Sequence, residues 1–180
     1  TDKSLFYQLG EVYRRDAEKL NTDANPTIYF QGKNATVTLD QYIRVAAYYI
    51  VNGNDTESAL ALATDFTQTE AAYYREAIRR GYEATEEEAR NYVYNVLKSD
   101  STIYDNDQNY LDLVEGFGSE EAYWEYECKI YKELLPQIKL NEVLEKEFTE
   151  SEDMDTGKAF EKWFSDYKAQ LVENEHFAIR

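Results

Sequence analysis

Glycine and proline are scarce in this 180-residue chain, at seven and two copies, and cysteine, histidine and methionine occur once each. So few breakers leave room for long helices and little for a turn-rich β architecture. With Cys128 alone, no intrachain disulfide can form. Its position between Trp124 and Tyr131 on a predicted helix suits a buried, inert thiol. His176 lies close to the C-terminal end, which rarely gives the firm anchoring that a metal cluster or nucleophilic triad needs. The sequence holds no glycine-rich phosphate loop, zinc-ligand spacing or nucleophile elbow. No stretch is long and apolar enough to span a membrane.

Positive charge is also short. Nineteen Lys and Arg stand against 36 Asp and Glu, a net charge of −17. Residues 83–127 hold thirteen of these acids and only Arg90 and Lys98 as bases. Such a surface repels phosphate backbones and anionic headgroups, which argues against nucleic acid and membrane surfaces as partners. Solubility is the plainer account of the charge. What the chain has in quantity is tyrosine, seventeen in all. An apolar ring with a hydroxyl suits half-buried faces and contact surfaces.

The length suits one domain with a substantial core. Residues 4–20 read as a helix, with 1–24 as an N-terminal helical segment packing onto a body spanning 25–180. Thr27–Gln31 and Ala35–Val37 flank Gly32-Lys33-Asn34 as a small hairpin or extended arm. Thr38 and Gln41 form a capping box for a helix ending near Asn52-Gly53. A helix from Glu57 to Arg80 follows, with Leu62, Phe66, Thr69, Tyr73 and Ala77 as its apolar stripe. Gly81 sits where a left-handed residue ends a helix, and Thr85 with Glu88 forms a second capping box for a helix over 86–98.

Residues 99–109 read as an acidic loop, followed by a short helix over 110–115 and Gly116-Phe117-Gly118. Ser119 caps a long helix to about Phe148, which Pro136 is expected to kink. The last helix runs from Gly157 to about Glu173. The expected fold is mainly α, one domain of six to seven helices with a short β element near the N-terminus.

Two acidic motifs have structural readings. Asp105–Asn109 imitates the opening of a calcium loop, but Tyr110 stands where glycine is wanted and Gly116 where a bidentate glutamate is needed. Glu86-Glu87-Glu88 lies in a first helical turn, where the helix dipole favours negative charge. No cofactor or metal is expected. Asn34-Ala-Thr36 and Asn54-Asp-Thr56 match glycosylation sequons, relevant only in a host that modifies them.

The run Ala77-Ile-Arg-Arg-Gly-Tyr-Glu-Ala-Thr-Glu-Glu-Glu-Ala-Arg-Asn-Tyr-Val93, together with 32–42, 60–94 and 109–124, resembles the N-terminal domain of extracytoplasmic foldases and chaperones of the SurA and PrsA type. The long helix through Lys139 resembles the one that precedes the isomerase insert in that family. The likeness covers about residues 32–177. One departure matters: where those foldases insert a parvulin-type prolyl isomerase, this chain has only Thr149–Gly157, too short for any domain.

The resemblance implies a non-enzymatic, chaperone-like domain that binds extended or partly folded polypeptide clients. It also implies an extracytoplasmic location, lipid-anchored or secreted in a Gram-positive bacterium. Because the chain begins at Thr1, a trimmed leader is compatible with export. Side-chain type and placement on the matching helices nominate Tyr48, Tyr49, Tyr73, Tyr74, Tyr123, Trp124 and Tyr131 as peptide-binding residues. Adjacent tyrosines point about 100° apart on a helix, so one of each pair can be core. The alternative is a dedicated interaction module with one specific protein partner. Oligomeric state is not legible from the sequence.

Overall fold

The computed structural model describes residues 3–22, 24–99, 106–151 and 157–180. It is mainly helical. Its elements are α1 (Leu5–Thr22), β1 (Ile28–Gln31), β2 (Thr36–Thr38), α2 (Leu39–Val51), α3 (Thr56–Arg79), α4 (Glu86–Tyr92), α5 (Gln108–Phe117), α6 (Glu120–Ser151), α7 (Gly157–Glu175) and β3 (Ala178–Ile179).

The caps explain most of these boundaries. Thr38 accepts from the Gln41 amide at 3.1 Å while the Gln41 side chain accepts from the Thr38 amide at 2.9 Å, a complete capping box. Asp55 and Ser119 likewise accept from the amides of Ser58 and Ala122. At the other end of α3, Gly81 takes φ +89°. Its amide and that of Tyr82 bond to the carbonyls of Ile78 and Ala77, both at 2.9 Å. This double closure satisfies carbonyls that the helix end would otherwise orphan.

The second expected capping box is half formed. Thr85 accepts from the Glu88 amide at 3.1 Å, but the Glu88 carboxylate binds Lys139 on α6. The carboxylate is shared between that ion pair and the Thr85 hydroxyl, which lies 3.4 Å from it. Beyond α4 the chain opens into a π-helical turn over Val93–Leu97, where regular helix was expected. The start of that turn is anchored to α6 twice: Tyr92, just before it, stacks on Tyr131, and the hydroxyl of Tyr94 within it donates to Glu125 at 2.7 Å.

The β element is a three-stranded antiparallel sheet with order β2-β1-β3. Its third strand comes from the far end of the chain and pairs Ile179 with Phe30. Glu175 makes this closure possible. Its buried carboxylate accepts from the amides of Asn34 and Ala35 at 2.6 and 3.0 Å, and its carbonyl accepts from Lys33.

Buried residues of α3 include Ala59, Ala63, Thr67, Ala72, Tyr73 and Ala77. The expected stripe included Leu62 and Phe66 instead, yet these are 40 and 45% exposed. Small residues let α3 lie close to α2 and α6, so the contact face follows the alanines and not the largest side chains. One cluster joins Phe30, Val37, Tyr42, Ala46 and Ala63; another joins Tyr73, Ala77, Leu140 and Leu144, with α7 packed over it. Pro136 is fully buried, and α6 continues through it.

The tightest crossing is α1 on α5. A Cβ on Gly10 would stand 2.1 Å from the Leu113 carbonyl oxygen, and one on Gly116 would stand 2.0 Å from that of Tyr7. Backbone cannot yield as a side chain can. Gly10→Ala and Gly116→Ala are therefore each expected to destabilise the fold by about 1–3 kcal/mol or more, although alanine is the better helix former. Urea unfolding checks this; an unchanged or raised midpoint would refute the close crossing.

Candidate functional site

Helical spacing brings a set of side chains to one place. Phe66, Glu70 and Tyr74 lie one turn apart on α3; Tyr126, Ile130, Glu133, Leu134 and Gln137 follow one another along α6. Arg44, Val45, Tyr48 and Tyr49 come from α2, and Tyr13 and Asp16 from α1. The backbones of α1 and α2 make few close approaches to α6. Side chains bridge the space, and what they leave unfilled is a group of three clefts, every one lined in part by Arg44 and Glu70.

The bridge is ionic. Arg44 donates through Nη1 to Asp16 Oδ2 at 2.7 Å, with side chains 15 and 5% exposed. The Tyr126 hydroxyl donates to the same oxygen at 2.5 Å. Burial pushes the Tyr126 phenol well above its usual range, so it stays a donor. Ions buried this deeply demand good partners, and each group here supplies one.

Glu70 and Glu133 face this bridge from α3 and α6. Burial raises both carboxyls above the ordinary glutamate range; the Arg44 charge opposes the rise, and Glu133 adds repulsion at Glu70. Gln41 approaches the Glu133 carboxylate at 3.4 Å. Among the described residues, neither carboxylate has an ion-pair partner within 4.0 Å.

The first cleft is apolar, about 330 Å³, with Tyr13, Tyr48, Tyr49, Phe66, Ile130 and Leu134 in its walls. Tyr48 is 48% exposed and meets Tyr49 edge-on at 5.8 Å. The second, about 270 Å³, is polar; Tyr74, Thr67, Gln137 and Glu133 line it. The third, about 210 Å³, opens beside Lys19 and Pro26.

Of the nominated residues, the structure brings Tyr48, Tyr49 and Tyr74 to these clefts. Tyr73 and Trp124 are each only 4% exposed. The Tyr73 ring packs edge-on against Phe164 and its hydroxyl donates to Asn141 at 2.5 Å. Trp124 donates to the Tyr110 hydroxyl at 3.1 Å, beside half-buried Tyr123. Tyr131 stacks on Tyr92 of α4.

Asp16, Arg44, Glu70 and Glu133 were not nominated. A faint signal existed for Arg44, the one cation in α2 and its only charged residue beyond the first turn.

Other motifs resolve simply. Asp107 caps α5 by accepting from the Asn109 amide, while Asp105 of the calcium-like run lies outside the described residues. The Thr149–Gly157 junction also lies partly outside them. Half-buried Cys128 has its thiol pushed up by burial, away from the reactive thiolate. Among the described residues, no group of His, Cys, Asp and Glu could hold a metal ion, and no helix is long and apolar enough to cross a membrane.

The fold and clefts together define a mainly helical domain with an open groove beside a buried ion pair. Compared with known proteins, the chain matches no family model, no curated sequence and no solved structure.

Two outcomes follow for stability. Asp16→Ala strands the Arg44 guanidinium and is expected to cost about 3–5 kcal/mol in chemical denaturation. Glu70→Gln should act in the opposite sense. A carboxyl raised in the folded state adds stability below its unfolded pKa of 4.5, and that contribution is lost as pH rises through the higher folded value. The variant should thus melt higher than the parent near pH 7 and show no such gain near pH 4; equal melts at both pH values would contradict the strained carboxylate.

Proposed function

We propose that this chain is a non-enzymatic polypeptide-binding domain of the extracytoplasmic SurA and PrsA type without the isomerase insert. Its place of action is outside the cytoplasm, on a lipid anchor or in secreted form. Extended or partly folded clients are held in the groove bounded by α1, α2, α3 and α6.

The observation that carries this reading is the apolar cleft with Tyr48 and Phe66 standing exposed at 48 and 45%. Aromatic side chains offer much contact area for little lost rotamer freedom. An apolar client side chain entering the cleft gains about 1.5–3 kcal/mol from burial. Contacts of that size give exchangeable binding once association entropy is subtracted, which suits a holder that must release its cargo. The acidic exterior keeps the loaded complex soluble.

The test is suppression of aggregation of a chemically unfolded model protein at rising ratios of this domain. Dose-dependent suppression is expected, and the double variant Tyr48→Ala/Phe66→Ala should lose most of it while keeping the parental circular dichroism. Trp163→Ala, on α7 and outside the clefts, should suppress as the parent does. No suppression by the parent chain at large excess would overturn the reading.

A further inference from the structure

The groove carries information about which segments it prefers. Its apolar cleft and its polar cleft share Arg44, Val45 and Glu70, so an extended chain passing from one to the other crosses the ion-pair bridge. At that crossing the charges are uneven. Arg44 is held by Asp16 through a 2.7 Å contact and only partly offsets Glu70 and Glu133 on the facing helices, which among the described residues have no ion-pair partner within 4.0 Å. Arg75 lines the polar cleft but stands within 4.0 Å of neither carboxylate. Lys19 and Lys129 line the third cleft, where Lys19 is paired with Asp40 and Lys129 donates to Asn21.

We infer that the groove selects polypeptide segments in which an aromatic or large apolar residue stands beside a lysine or arginine. The apolar side chain enters between Tyr48, Tyr49 and Phe66, and the cation reaches Glu70 and Glu133. The pairing is one of charge complementarity: the ligand supplies what two crowded carboxylates lack, and it removes their mutual repulsion. Acidic segments meet the opposite condition and are rejected, which is how an interface gains selectivity from repulsion as well as attraction. The inference rests on the groove being the client site, and its test separates the two.

Three fluorescein-labelled peptides of one aromatic-rich sequence, carrying Lys, Gln or Glu beside the central aromatic residue, are titrated with the full chain at ~0.1 M salt and followed by anisotropy. The Lys peptide is expected to bind about tenfold more tightly than the Glu peptide. In Glu70→Gln/Glu133→Gln that gap should collapse. In Glu87→Gln/Glu145→Gln, which has the same net charge but no altered groove residue, it should persist. Tyr48→Ala should weaken all three peptides alike.

A gap that shrinks equally in both double variants would show that overall charge, not the groove, sets the preference. That result, or equal binding of all three peptides, overturns the inference and leaves the client site standing. Failure of every peptide to bind the folded parent chain overturns both. The glutamine variants remove repulsion, so thermal melts at or above the parental value check that they are folded.

Discussion

The contact between Arg44 and Asp16, with the Tyr126 hydroxyl on the same carboxylate oxygen, is the constraint on which the rest of this structure turns. It ties α1 and α2, which pack on each other, to α6, which makes few close backbone approaches to either. Burying two ions is expensive, and apolar residues of equal volume would often hold a domain as well or better. An ion pair does something that an apolar plug would not. It fixes α6 at a distance from α1 and α2 without filling the space between them, because each charge is satisfied only in one geometry. The clefts on either side of Arg44 are the consequence.

Elsewhere the chain packs as closely as backbone allows. Gly10 and Gly116 bring α1 and α5 into backbone contact, and the alanines of α3 do nearly the same toward α2 and α6. Glu175 draws the end of α7 onto the amides of the β1–β2 turn, so that β3 completes the sheet. Tyr167 and Arg80 meet at Glu76, whose carboxyl is held down to about 2, chiefly by hydrogen bonds from Arg79, with Arg80 adding to them. A rigid frame of this kind is what an open groove requires, since exposed aromatic side chains otherwise collapse onto one another. The proposed client site thus sits on helices, not on loops, and needs little reorganisation to accept an extended chain.

The proposed activity and the stability of the fold pull in different directions at Glu70 and Glu133. Among the described residues neither carboxylate has an ion-pair partner within 4.0 Å, and the pull of Arg44 only partly offsets the rise that burial imposes on them. Groups that lower stability in the free protein are ordinary at binding surfaces, where the ligand completes them.

Local chemistry was legible from the residues alone. Thr38 with Gln41, Thr85, Ser119 and the glycines at 53 and 81 act on amides and carbonyls only a few positions away, so these helix starts and stops could be read without knowing the fold. The helical class followed from the same signals and from the shortage of breakers. What lies far apart in the chain could not be read. The strand at Ala178–Ile179 is too short to announce itself and exists because Phe30 is there to pair with it. Hydrophobicity pointed to Leu62 and Phe66 as core, yet close approach favoured the alanines beside them and turned the larger side chains outward. Seven aromatic residues looked alike by type. Only the tertiary structure sent Tyr73 and Trp124 inward and left Tyr48, Tyr49 and Tyr74 beside the clefts. The sequence determined which segments are helical, because capping and propensity act within a few residues; the fold decided which faces meet and where a groove stays open, because burial and ion pairing act between residues that only packing brings together.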